Sequence, residues 1–240
     1  MSDIVKVINK QYSPIKNYKV GDSMGREKSW EWCHAEFLKA KKNIDSGNKL
    51  TKDNIDYLAL HLFCYLASWG MLRNSKLLSC DYKVFLDLIP KIMNTDYRIL
   101  WDYNPKKLTI KEKQEAEVCL FDNGIYKEIE DYLDSKKVSP TNTLVTKILL
   151  GTFACLPAFD TEVNKGLRKY KKNNPSICKI DYPGFKGYDE GTVIDKKIFA
   201  SLSNFIEKNY FDIYNTDPAK SKMYYPPMKM VDMYFNQLGQ

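Results

Sequence analysis

The stretch Thr143–Lys172, TLVTKILLGTFACLPAFDTEVNKGLRKYKK, decides how this chain is read. Its first half is an apolar run with helical character. Leu156-Pro157-Ala158-Phe159 then turns the chain, because proline lacks an N–H and does not continue a helix. Behind Asp160 a helix restarts. A helix N-terminus carries unsatisfied N–H groups and a partial positive charge, so an Asp in the cap position is stabilised there. The new helix is basic, with Lys165, Arg168, Lys169, Lys171 and Lys172 following. One carboxylate thus stands between an apolar helix and a basic one, near the core. The same arrangement also serves as a plain helix cap.

Working outward, the rest of the chain reads as helices and turns. Residues 1–28 contain Pro14, Gly21 and Gly25 and predict an irregular segment. Ser29 then caps a helix in which Trp30, Cys33, Phe37, Ala40 and Ile44 recur at helical spacing, ending near Gly47. The Trp30/Trp32 pair is assigned to the core. Thr51 caps the next helix, which is apolar nearly all round through Tyr57–Leu72 and is therefore predicted to be central and buried, with His61 a core histidine. It stops at Trp69-Gly70. The segment after it places an aromatic (Trp69), a flexible glycine and a cation (Arg73) close together, a set suited to a base and a phosphate. Its competing reading is a helix–helix corner.

Tyr82–Met93 predicts a helix broken near Pro90, and Asn94–Thr109 a polar connection. Thr109 caps a charged helix to Gly124, and Ile125–Leu133 forms another. Residues 173–193 form a long loop. Asp195 caps an amphipathic helix that Asp217-Pro218 ends, and Pro226-Pro227 start the last one, with Met228, Val231 and Phe235 on one face. The expectation is an all-α protein of roughly eight to ten helices. It forms a single domain over 1–240, with lobes 29–134 and 138–240 that share one core and flank a cleft.

Composition prunes the chemistry. The chain of 240 residues is 44 % hydrophobic and 28 % charged, the balance of a soluble globular protein. Without an apolar N-terminal stretch or a run of ~20 apolar residues, the expectation is a cytoplasmic protein with no membrane association. Six cysteines form no C-x-x-C pair and read as reduced thiols. With His34 and His61 alone, ligands for a structural zinc and a base for a Ser-His-Asp triad are scarce, so no metal or cofactor is expected. A ribonuclease motif of the R-x(4–6)-H type is equally unbuildable. The net charge of +7 is compatible with a nucleic-acid partner. Carboxylate pairs at Glu115/Glu117 and Glu128/Glu130/Asp131 read as solvated surface, and Asp181, Asp189 and Glu190 are weaker candidates still. Asp160 remains.

FDTEVNKGLRKY resembles the aspartate-bearing helix of the helix-hairpin-helix DNA glycosylases, whose motif runs V-D-T-x-V. The preceding TLVTKILLGTFACLP is similar to the apolar helix and Pro-containing turn of that superfamily. The resemblance covers about thirty residues and implies an all-helical fold, DNA as partner and base excision from a flipped nucleotide. On it, Asp160 is the catalytic carboxylate; together with the Trp69/Arg73 segment and the basic helix, the expected nucleic-acid contacts are Trp69, Arg73, Asn142, Lys147, Lys165, Arg168 and Lys169. The chain departs from the pattern where KKVSPTNTLVT replaces the glycine-rich hairpin that meets a DNA phosphate. Asn142 stands where bifunctional members carry a nucleophilic lysine, so the resemblance implies a monofunctional enzyme without Schiff-base chemistry at that position. SWEWCHAEF, LALHLFCYLASWGMLR and LLGTFACLPAFD together resemble a bacterial family that implies no function. The alternatives to a glycosylase are a non-catalytic nucleic-acid-binding module and a protein-interaction module of a bacterial defence system.

Overall fold

In the computed structural model the apolar half of the deciding stretch is a helix, and every residue from Leu144 to Thr152 is buried. The structure describes residues 3–21, 25–73, 75–173, 194–210 and 225–240. Among them lie ten α-helices and several short 3-10 turns, with no strand. The helices are α1 (Asp3–Lys16), α2 (Gly25–Asp45), α3 (Lys52–Ser68), α4 (Leu88–Ile92) and α5 (Ile110–Phe121). They continue as α6 (Ile125–Ser135), α7 (Asn142–Thr152), α8 (Thr161–Asn173), α9 (Lys196–Lys208) and α10 (Pro227–Gly239). The expected all-α class is what the chain forms.

Several boundaries follow the capping chemistry. Thr51 and Asn54 make a reciprocal capping box at the start of α3, and Thr109 and Glu112 do the same for α5. The Asp195 carboxylate accepts from the Lys197 and Ile198 N–H groups at the start of α9. At the end of α3, the Gly70 N–H donates to the Ala67 carbonyl and the Met71 N–H to the Leu66 carbonyl, each at 2.9 Å. That paired return needs a left-handed residue, and Gly70 takes it at φ +74°.

Other expectations are corrected. The N-terminal segment is helical: Ile4, Ile8, Tyr12 and Ile15 form the buried stripe of α1. Pro14 lies in its last turn, where only the Lys10 carbonyl loses a donor, and both residues are exposed to water. Ser29 does not cap α2, which starts at Gly25; its hydroxyl donates to the Arg26 carbonyl one turn back. Tyr82–Met93 is a 3-10 turn (Tyr82–Phe85) followed by α4, so the break precedes Pro90, which sits harmlessly in the first turn of α4. The connection at 94–109 is not merely polar, since Tyr97, Leu100 and Tyr103 enter the core. Of the loop expected at 173–193, Asn173 is the last residue of α8 and the rest lies outside the described residues, as do Cys178 and Asp217-Pro218; α9 ends at Lys208, before the expected break.

The central helix is α7, not α3. α3 buries Leu58, Ala59, Leu62, Tyr65 and Leu66 but turns Tyr57, Leu60 and Cys64 outward. His61 is half-buried; the histidine without exposure is His34. α7 packs against α2, α3 and α6. Its aliphatic side chains contribute roughly 1.5–3 kcal/mol each on transfer from water, before ordering entropy is subtracted. α2 docks on the end of α7 through two polar contacts, the Trp30 indole N–H to the Leu150 carbonyl at 2.9 Å and His34 Nδ1 with the Thr152 carbonyl at 2.8 Å. One continuous apolar cluster runs from Ile4 to Phe235. α8 and α10 approach closely, because a Cβ on Gly166 would lie 1.9 Å from the Phe235 carbonyl oxygen. Both cysteines of that core, Cys33 and Cys155, are reduced, and burial pushes their thiols well up from the usual range. Among the described residues no helix is long and apolar enough to cross a membrane.

Candidate functional site

The turn from α7 to α8 is held by side chains rather than by regular structure. The Ala158 N–H donates to the Asp232 carboxylate at 3.0 Å, and the Phe159 N–H donates to the Thr146 hydroxyl at 3.0 Å. The Phe159 carbonyl accepts from the Thr143 hydroxyl at 2.9 Å and from the Asn164 amide at 3.1 Å. These four bonds satisfy the backbone groups that Pro157 leaves outside any helix, and they fix the position of the next residue. That residue is Asp160.

Asp160 caps α8 as the sequence predicts. Its Oδ1 accepts from the Val163 N–H at 3.1 Å. Its Oδ2 accepts from the Lys147 ammonium at 2.9 Å. The Lys147 side chain is 3 % exposed and the Asp160 side chain 20 % exposed, so solvent reaches the pair from the carboxylate side. Lys147 also lies over the Trp69 ring, 4.4 Å from its centroid. A helix of apolar character, the turn after it and the end of α3 thus bring Trp69, Lys147 and Asp160 to one place.

Three further residues join them that sequence reading does not single out. The Arg26 guanidinium lies over the Trp69 ring at 4.8 Å and the Lys229 ammonium at 5.7 Å. Lys229 pairs with Asp232 at 2.8 Å, in a pair that is buried on both sides, and also lies over Trp30 at 5.0 Å. The signal for Lys229 and Asp232 is present in the chain as two opposite charges three apart in the otherwise apolar PPMKMVDMYF. Arg26 belongs to the segment read as irregular, which hides it. Tyr65 is buried; burial, and then Asp232, Cys33 and Asp160, push its phenol well above the usual range.

The remaining nominated residues are elsewhere. Asn142, the first residue of α7, accepts from the Tyr126 hydroxyl at 3.0 Å. Arg73 is exposed and folds back over Gly70, next to the Trp69 turn. On α8, Lys165 is exposed and pairs with Glu162 at 2.8 Å, Lys169 is exposed, and Arg168 is half-buried. The ring of Trp69 is already covered by cations of its own chain, so a base stacks there only if Arg26, whose side chain is 54 % exposed, swings away. The Trp69 indole N–H is buried and has no hydrogen-bond partner among the described residues.

Chemically the cluster sets a carboxylate and an ammonium side by side, with the ammonium over an aromatic ring. Such a pair stabilises opposite charges that develop on adjacent atoms of a bond being broken. No protein-family model, no curated protein and no solved structure matches this chain.

Proposed function

We propose that this chain is a DNA glycosylase-like protein that hydrolyses an N-glycosidic bond through Asp160, without a covalent lysine intermediate. Cleavage leaves the electron pair on the departing base and positive charge on the sugar. The Asp160 carboxylate stabilises the cationic sugar and orients the attacking water. The Lys147 ammonium, buried behind the carboxylate, holds Asp160 in place through their 2.9 Å pair. Arg26 and Trp69 border the approach, and the basic face of α8, with Lys165 and Lys169, borders the backbone. The observation that carries the reading is the Asp160 carboxylate, held by an ammonium and a helix N-terminus at the end of a turn braced from four directions.

A second reading has one observation in its favour. Each Asp160 oxygen and the Lys147 ammonium have partners inside the chain, as in an internal strut of a binding or interaction module.

Base release from modified and damaged duplex and single-stranded DNA separates the two. Wild type is expected to leave abasic sites, and Asp160→Asn to lower the rate by at least about a hundredfold. The double variant Lys147→Met/Asp160→Asn removes the unpaired buried ammonium and serves as the folded, inactive control, with helix content read by circular dichroism. DNA bound without base release, equally by wild type and the variants, selects the binding module.

A further inference from the structure

The outward face of α3 carries side chains that are exposed and that none of the described helices covers. Tyr57 (45 % exposed) and Leu60 (41 % exposed) lie on it with the exposed Cys64 and Ala67. Their spacing of three, four and three residues makes one stripe about 15 Å long, the seam spacing of a helix that packs on another helix. Its midpoint falls at position 62, between Leu60 and Cys64. Beside that midpoint stands His61, in edge contact with Tyr57 at 4.5 Å. Glu36 and Lys39 of α2, paired at 3.4 Å, both act electrostatically on His61. Exposed Asp53 lies at one end of the stripe, and exposed Arg73 lies past the other.

This pattern is complementary to itself when reversed. We propose that the α3 stripe is an isologous interface on which a second copy of this chain packs antiparallel, about a two-fold axis near position 62. Large then meets small, with Tyr57 against Ala67 of the partner subunit and Leu60 against Cys64 of the partner subunit. Asp53 faces Arg73 of the partner subunit, and Glu36 faces Lys39 of the partner subunit. A parallel arrangement would set Asp53 against its own copy and large side chains against large. The stripe is narrow, so the dimer belongs to the weak class of small interfaces, with dissociation in the micromolar range.

Sedimentation velocity on the full chain from about 1 to about 200 µM is the test. The mass average is expected to rise from one chain toward two. Leu60→Glu, on the exposed face of a helix, is expected to raise the dissociation constant at least about tenfold while circular dichroism is unchanged. Asp53→Lys and Arg73→Asp are each expected to weaken the dimer, and the double exchange Asp53→Lys/Arg73→Asp to restore it. A chain that stays monomeric throughout overturns the proposal, as does a dimer indifferent to Leu60→Glu. A double exchange that fails to recover what the single ones lose overturns the antiparallel arrangement.

Discussion

Lys147 and Asp160 show what a single buried charge does to its surroundings. The ammonium is withdrawn from water and its ion-pair partner in the structure is the carboxylate at 2.9 Å, with the Trp69 ring beside it. Removing one partner of a buried pair leaves an uncompensated charge and costs about 3–5 kcal/mol. Asp160→Asn keeps a good helix cap yet strands the ammonium, so it is expected to lose about 3 kcal/mol in denaturant unfolding. Lys147→Met is expected to cost less, because Asp160 is partly solvated and keeps the Val163 N–H. Adding Lys147→Met to Asp160→Asn is expected to recover at least about 1 kcal/mol. Strictly additive losses would show that the two charges are not coupled. Asp160 as a cap is legible in the sequence from the turn before it. Its pairing with Lys147, thirteen residues earlier and expected as a nucleic-acid contact, is not.

At the scale of elements, α8 and α10 show how backbone approach overrides side-chain pattern. Both helices read correctly from capping and proline signals, but nothing in either segment names the other as its neighbour. Gly166 allows the contact: a Cβ there meets the Phe235 carbonyl at 1.9 Å, and one on Gly239 meets the Glu162 carbonyl at 1.9 Å. Backbone does not yield as a flexible side chain does. Gly166→Ala is therefore expected to destabilise by about 2–3 kcal/mol or more, although alanine is the better helix former. Thermal unfolding measures it, and a neutral or stabilising effect would contradict the packing described here. The same contrast separates α3 from α7. Both are apolar, and the longer apolar run of α3 reads as the central one; α7 is central because every residue from Leu144 to Thr152 is buried, whereas α3 turns Tyr57, Leu60 and Cys64 outward. α1 was hidden by Pro14, although its stripe of Ile4, Ile8, Tyr12 and Ile15 is helical in spacing.

For the whole molecule the apolar cluster is the governing feature. Residues from both 29–134 and 138–240 contribute to it, and α7 lies against α2, α3 and α6 from the first stretch. Two segments that share a core lose it together. Urea unfolding followed by tryptophan fluorescence and by circular dichroism is therefore expected to give coincident single transitions. Separated transitions would mean that the two stretches are independent lobes. The charge of +7 is distributed over lysines of which several are locally paired, so its sign alone does not select a partner.

What the chain determines by itself is local: the all-α class, the caps at Thr51, Thr109, Asp160 and Asp195, and the stops at Gly47 and Gly70. These follow from hydrogen bonds and backbone angles within a few residues, and such terms are written in consecutive positions. Which helix is central, which charges are buried together and which face of α3 is left open are decided by contacts between residues far apart. Trp69 meets Arg26, Lys147 and Lys229 from three different helices, and only the packed fold brings those cations over one ring.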